Sequence, residues 1–268
     1  MSLTRRAFFS LTSTFGISSL AAKAWGQPAP QAPPAINPAD AFPQLDPNLV
    51  RETVGASHRD LARVREAVER HPALARASID WGFGDWESCL DAASHVGNKP
   101  IADFLLSHGA RPTIFSAAML GQLDVVKAFI AARPGIQKTY GPHGITLMAH
   151  ARAGGPDAAP VVEYLKGLGD ADIPLTSTSI EPAQRDALVG KYVYGPGPRD
   201  YFVIDVQRDQ LGIQRPLAPT RQLLHHTGNL AFFPTGAPSV KIVFVTEAGK
   251  VTQFTVADPQ LMVTAKRS

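Results

Sequence analysis

Apolar residues recur at helical spacing between about residues 49 and 172. Side chains three or four positions apart share one face of a helix, so this spacing predicts a series of short amphipathic helices. The residues that share a face are Leu61, Val64 and Val68; Ile101, Phe104 and Leu105; Val126, Phe129 and Ile130; and Val161, Leu165 and Leu168. Each predicted helix ends at a glycine or proline. Helices this short bury their apolar faces by stacking on one another.

The pattern changes to a period of two after residue 179, and alternate residues of 202–206 and 240–244 are apolar. This alternation predicts strands with one buried face. Turn residues separate eight strand-like segments: 191–194, 201–206, 211–214, 222–226, 230–233, 240–245, 251–256 and 262–266. Short antiparallel strands in this number favour a closed barrel, because closure removes exposed sheet edges.

Two segments of the helical region resemble the ankyrin repeat family. Residues 88–97 read SCLDAASHVG, with Leu90, Ala92 and Gly97 at positions typical of the repeat, and depart from it at Cys89 and Asp91. Residues 117–127 read AAMLGQLDVVK, close to the most typical segment of the repeat. The resemblance implies an α-solenoid of about four helix pairs over residues 48–173, with degenerate terminal units that act as caps.

The spacing of the units is uneven. Gly121 and Gly154 are 33 residues apart, the expected period, whereas Gly97 and Gly121 are only 24 apart, which leaves no room for a hairpin between those units. His58, the best counterpart in the first unit, lies 39 residues before Gly97. We therefore expect an enlarged connection between the first two units.

Residues 182–268 resemble the small lipocalin-like β-domain that is often appended to serine beta-lactamase-like hydrolases. A short helix over 182–188, Gly190-Lys191-Tyr192, residues 232–234 and residues 249–251 carry this resemblance. It implies an eight-stranded barrel, joined to the repeats by a linker over 174–181. Barrels of this size are either filled by side chains or hold one small ligand.

The first 26 residues are typical of an export signal. Arg5 and Arg6 precede an uncharged run over 7–22, and residues 4–9 resemble the twin-arginine motif. The alternative is an ordinary secretory signal that contains two arginines. The twin-arginine route carries folded proteins, which predicts a periplasmic protein. A cofactor loaded before export is one common reason for that route, but the sequence has no motif for one, so fast or tight folding is the alternative reason. Residues 27–47 are proline-rich and predict an extended tether.

Composition and charge exclude several classes of protein. The chain has 268 residues, 44% apolar and 18% charged, which is typical of a folded protein. Its net charge of +3 comes from the first 26 residues, and a neutral remainder lacks the basic surface of a nucleic-acid binder. The single cysteine, Cys89, excludes an internal disulfide and a multi-cysteine metal site, and we expect it to be a buried, inert thiol.

Candidate chemistry is sparse. Ser-x-x-Lys, Gly-x-Ser-x-Gly and His-Glu-x-x-His are all absent, which predicts a protein without catalytic residues that is not an enzyme. Asp91 and His95 lie four apart on one helical face, but we expect His95 to be simply exposed. His225 and His226 are neighbours on a strand and point to opposite faces. The sequence therefore predicts no metal site and no cofactor.

Large aromatic side chains are the remaining candidates for a functional surface. The enlarged connection contains three of them among glycines, and the loop before the last unit adds three more polar or aromatic residues. The predicted partner-binding residues are Trp81, Phe83, Trp86, Lys138, Tyr140 and His143. The alternative is that some of these rings fold back over the repeat core.

The sequence thus predicts an exported ankyrin-repeat protein that binds another, unidentified protein and has no activity of its own. It predicts no nucleic-acid partner and no stable membrane span once the signal is removed. The alternative is a small-ligand-binding or hydrolase-associated accessory protein that acts through its C-terminal barrel.

Overall fold

The computed structural model describes residues 44–218, 220–258 and 261–268. They combine α-helices with a closed antiparallel β-barrel, which confirms the predicted α + β class with a C-terminal barrel. The predicted signal (1–26) and all but the last few residues of the predicted tether (27–47) lie outside the described residues. Among the helices of the described ranges, none has both the length and the apolar character that a bilayer crossing requires.

The first part of the described chain consists of short helices that follow one another in pairs. They are α1 (Pro47–Ala56), α2 (Leu61–Arg70), α3 (Cys89–His95), α4 (Lys99–Ser107), α5 (Ile114–Met119), α6 (Leu123–Ala132), α7 (Leu147–Ala153) and α8 (Ala159–Leu168). Most begin at a residue whose side chain accepts a hydrogen bond from a backbone N–H of the first turn, such as Asp60, Ser88 and Thr113. Such caps satisfy backbone donors that the helix itself leaves unpaired.

The helices bury two apolar clusters. The first is built mainly from α1 to α4 and includes Val64, Leu90 and Leu105, and the second is built from α5 to α8 around Val126 and Leu147. Cys89 lies in the first cluster, and burial raises the pKa of its thiol to about 12, so it is buried and un-ionised as predicted.

Glycines allow neighbouring helix pairs to approach closely. Gly97 and Gly121 both have a positive φ, and a Cβ at either would overlap a backbone carbonyl, of Ala153 and Asp157 respectively. A Cβ at Gly154 would overlap the carbonyl of Met119. Only glycine fits where backbones come this close, which explains the spacing seen in the sequence.

A β-hairpin fills the enlarged connection between α2 and α3. Its strands are β1 (Ser78–Asp80) and β2 (Trp86–Ser88), paired antiparallel with Ile79 opposite Glu87. At the tip, Phe83 packs against the apolar cluster of the barrel, and Gly82 lies beside the side chain of Gln222. The hairpin thus contacts the barrel as well as the helices.

The barrel follows the linker and a short helix, α9 (Pro182–Asp186). Its strands are β3 (Gly190–Val193), β4 (Tyr201–Gln207), β5 (Gln210–Gln214), β6 (Gln222–Gly228), β7 (Ala231–Pro234), β8 (Lys241–Glu247), β9 (Lys250–Asp258) and β10 (Leu261–Arg267). Each strand pairs with the next one along the chain, and β10 pairs with β3 to close the barrel.

Aromatic side chains fill the interior of the barrel. The rings of Tyr192, Phe202, Phe232, Phe244 and Phe254 pack in contact, with ring centroids 4.8–5.8 Å apart. The Tyr192 hydroxyl donates a hydrogen bond to the carbonyl of Leu188 at 2.7 Å, so even its polar atom is satisfied.

Candidate metal centre

Four side chains from four different parts of the chain converge on one point beside the hairpin. His58 lies in the turn after α1, Glu87 is the middle residue of β2, and His95 is the last residue of α3. His143 lies in the loop before α7. The four potential ligand atoms all lie within 4.8 Å of one another.

The separations match those of ligands around one small cation. Glu87 Oε1 lies 2.9 Å from His95 Nε2, 3.3 Å from His143 Nε2 and 3.5 Å from His58 Nε2. The Nε2 atoms of His58 and His95 are 3.1 Å apart. Ligands bound tetrahedrally at about 2.0–2.1 Å lie about 3.3 Å from one another. These four separations are close to that value, whereas the remaining ones extend up to 4.8 Å, so a shared ion would draw the imidazoles closer together.

The outer atoms of three of these side chains are held by other groups. Trp81 Nε1–H donates to Glu87 Oε2 at 2.7 Å, His143 Nδ1 lies 2.8 Å from Asp85 Oδ2, and His58 Nδ1 lies 3.0 Å from the carbonyl of Gly55. A carboxylate and a carbonyl both accept, so each of the two imidazoles donates from Nδ1 and its Nε2 faces the centre. Outer contacts of this kind orient metal-binding histidines in proteins.

Asp85 fixes the loop that carries His143. One carboxylate oxygen of Asp85 accepts from the backbone N–H of His143 at 2.8 Å, while the other faces the imidazole. These two contacts stabilise the left-handed backbone conformation of His143, where φ is 61°. Gly236 of the barrel packs directly against the Asp85 carboxyl, where a Cβ would overlap it. The barrel therefore closes one side of the centre.

The centre is buried and carries two carboxylates. Glu87 is completely buried and Asp85 is 2% exposed, whereas the side chains of His95, His58 and His143 are 11%, 20% and 28% exposed. Buried carboxylates require compensating positive charge, because the interior solvates an ion poorly. The imidazoles, or a cation bound among them, supply that charge.

The pKa shifts of Glu87, His143 and His58 follow from the same balance between burial and neighbouring charge. Burial alone raises the pKa of Glu87, but hydrogen bonds with His143, His58 and His95 outweigh it and hold the pKa well below its usual range. Burial lowers the pKa of His143, yet its bonds with Asp85 and Glu87 raise it to about 10. The hydrogen bond with Glu87 also raises the pKa of His58. Without a metal, His58 and His143 therefore hold their protons to a higher pH than free imidazoles do. These protons supply the positive charge that a bound cation would otherwise supply.

The expectation that His95 is exposed is wrong. The hairpin register places Glu87 against the end of α3, so His95 contacts a buried carboxylate instead of solvent. Asp91, four residues earlier, bonds instead with Ser88 and Thr113 at the start of α3 and α5. His225 and His226 do not converge, as predicted: the first lies beside Thr235 and the second beside the carbonyl of Ser179.

The six predicted partner-binding residues lie in different surroundings. Trp81 and His143 belong to the candidate metal centre, and Phe83 packs on the barrel. Trp86 is 62% exposed and lines, together with Tyr140, a surface pocket of about 310 Å³. Lys138 pairs with Asp170 at 3.1 Å. That these residues bind a partner stays a prediction.

From the sequence, His143 and His95 are assigned to different roles and Glu87 to none, so the centre is not predicted as a unit. One signal could have found part of it. Asp85 and Glu87 are two positions apart at a short strand, and such carboxylates lie on the same face. The third residue in sequence, His95, follows one short helix later.

Three imidazole nitrogens and one carboxylate oxygen form a donor set that suits several divalent transition metals. Zinc binds such ligands with four-coordinate tetrahedral geometry, and imidazole also suits copper, iron and nickel. Trp81 occupies the second oxygen of Glu87, which favours binding through one oxygen only.

No protein-family model, curated protein or solved structure matches this chain.

Proposed function

We propose that this protein binds one divalent transition-metal ion through Nε2 of His58, His95 and His143 and Oε1 of Glu87. The observation that carries the proposal is the convergence of these four atoms at ligand-to-ligand distances around a fully buried carboxylate. An ion bound there would replace protons on the imidazoles and neutralise Glu87 and Asp85.

The proposal also gives the predicted export route a reason. The four ligands lie far apart in the sequence and meet only when the hairpin and the loop before α7 have folded. A twin-arginine-type signal carries a folded chain to the periplasm, so the ion can be bound in the cytosol and exported with the protein. That the chain has no catalytic activity stays a prediction.

The test is the metal content of the purified mature protein. We expect one equivalent of zinc or cobalt(II) to remain bound after gel filtration, as measured by mass spectrometry of the metal. His71→Ala is the control variant, because His71 lies at the end of α2 outside the centre, and it should retain one equivalent. A wild-type protein that retains no metal would contradict the proposal.

We propose as a second function that the helical part is an ankyrin-type solenoid that binds another protein. The paired helices, and the close packing at Gly121 and Gly154 where the third and fourth pairs meet, support the solenoid. The exposed Trp86 supports a contact surface, since an exposed tryptophan is typical of residues that dominate binding energy. An accessory role through the barrel interior has less support, because aromatic rings fill it.

Crosslinking in periplasmic extract tests the second function. Trp86→Ala should remove a crosslinked partner that the wild type captures, because it removes the exposed ring without touching the metal centre. Met262→Ala is the matched control, since Met262 is an exposed apolar residue of β10. An identical set of crosslinked proteins for all three chains would rule Trp86 out as a contact.

A further inference from the structure

A fourth histidine beside the centre has no hydrogen-bond partner. His150 lies on α7, is completely buried, and neither of its ring nitrogens meets a donor or acceptor in the described part of the chain. Its neighbours are the ring of Phe115, with centroids 4.9 Å apart, and the backbone of Gly141. A buried polar group without a partner is costly, so an unseen water or ion is the usual explanation.

His95, a ligand of the proposed centre, likewise has no hydrogen-bond partner on its outer nitrogen among the described residues. His58, His143 and Glu87 each have a protein group on the atom that faces away from the ion. His95 has no such group: among the described residues, its hydrogen bonds are all made through Nε2. With Nε2 on the ion, Nδ1 of His95 must carry the proton and needs an acceptor.

The two imidazoles are close enough for one bridging molecule. Their ring centroids are 6.2 Å apart and their planes lie at 82°. Two hydrogen bonds through a water molecule span up to about 5.5 Å between two nitrogens, a length of the same order as this ring separation. A completely buried imidazole without a hydrogen-bond partner is neutral and offers a lone pair, because burial disfavours its charged form.

We propose that one ordered water molecule links Nδ1 of His95 to His150, which makes His150 a positioning residue for the metal ligand His95. This inference rests on the proposed metal-binding function. The water accepts the Nδ1–H of His95 and donates to the lone pair of His150, and a buried water with two or more polar partners is stable. His150 thereby does for His95 what Asp85 does for His143.

Loss of an outer contact of this type typically lowers metal affinity about 10–100-fold. His150→Leu keeps the apolar packing against Phe115 but offers no acceptor, so we expect a loss in that range. His150→Gln retains a polar end that can hold the water, and we expect its affinity to remain within about threefold of the wild type. Met148→Leu, a buried substitution on the same helix, is the matched control.

The experiment is a cobalt(II) titration of the mature protein in competition with a chelator, read by the visible absorption of the bound ion. We expect His150→Leu alone to bind weakly and to show a shifted cobalt spectrum, because His95 loses its orientation. Unfolding by urea without metal separates this effect from a general loss of stability, which would not change the spectrum.

Three outcomes would overturn the inference. Equal affinity and an identical spectrum for His150→Leu would show that His150 does not position His95. Four coordinated imidazoles in the wild type, counted by X-ray absorption, would make His150 a direct ligand instead. A wild-type protein that binds no cobalt, with His71→Ala equally inactive, would overturn the proposed function and this inference together.

Discussion

Replacing His95 by alanine is expected to weaken zinc binding by more than 100-fold. The substitution removes one of four ligands and leaves the buried Glu87 without its shortest contact to a histidine. Trp81→Phe is expected to have a smaller effect, about 10–100-fold, because it removes only the N–H that holds the second oxygen of Glu87. The measurement is a zinc competition titration with a chromophoric chelator.

The order of the three variants is the informative result. His95→Ala should bind most weakly, Trp81→Phe should be intermediate, and His71→Ala should match the wild type. A general loss of stability would not produce this order of affinities. Urea unfolding of the metal-free variants shows whether such a loss of stability is present. Equal affinities for wild type and His95→Ala would exclude His95 from the site.

The metal-free protein is expected to lose stability as the pH rises from about 6.5 to 10. The folded pKa of His143 is about 10, whereas an unfolded histidine has a pKa near 6.5. Its protonated form therefore stabilises the fold fully below pH 6.5, and this contribution disappears as the pH rises through the folded pKa. The shift corresponds to a loss of up to about 5 kcal/mol in the free energy of unfolding.

Zinc should remove this pH dependence. In the metal-bound protein, Nε2 of His143 is already deprotonated, Glu87 faces the ion and Asp85 accepts from Nδ1–H of His143, so raising the pH removes no stabilising proton. At 1,000 times its Kd, the ion itself adds about 4 kcal/mol to the free energy of unfolding. Urea unfolding at pH 6.5 and pH 9.5, with zinc and with a chelator, measures both effects. The same loss of stability with and without zinc would contradict the account.

Matched variants identify the group that titrates. Asp85→Asn removes the carboxylate that contacts both the backbone N–H and the imidazole of His143, so it should flatten the pH dependence of the metal-free protein. Asp170→Asn is the control, since Asp170 pairs with Gln137 and Lys138 far from the centre. A steep dependence that persists in Asp85→Asn would assign the titration to another group.

The barrel could be predicted because its signal is local. The alternation over 201–206 and 240–245 coincides with β4 and β8 to within two residues, since a strand with one buried face alternates wherever it lies. The helices of the first part are predicted for the same reason, as in α2 and α4. Their ends follow from prolines, glycines and caps that the sequence displays directly.

The metal centre could not be predicted because it depends on long-range register. The strands β1 and β2 have three residues each, too few for a periodic signal, yet their pairing decides that Glu87 faces inward. His58 and His143 reach the centre only through the stacking of α1 and α7 beside α3. No spacing rule relates residues brought together by four separate elements.

The different fates of the aromatic residues follow from the same hairpin. Trp81 and Trp86 look alike in the sequence, but the hairpin directs the first towards Glu87 and leaves the second exposed. Some of these rings therefore cover the interior and Trp86 remains exposed, while the binding of a partner by this loop stays a prediction.

X-ray absorption of the zinc-loaded mature protein at the zinc edge counts the ligands of the ion. We expect one ion per chain with three imidazole nitrogens and one oxygen at about 2.0–2.1 Å. Glu87→Gln should lower the occupancy sharply. A wild-type spectrum dominated by water oxygens, with no imidazole scattering, would contradict the claim that His58, His95 and His143 hold a metal ion.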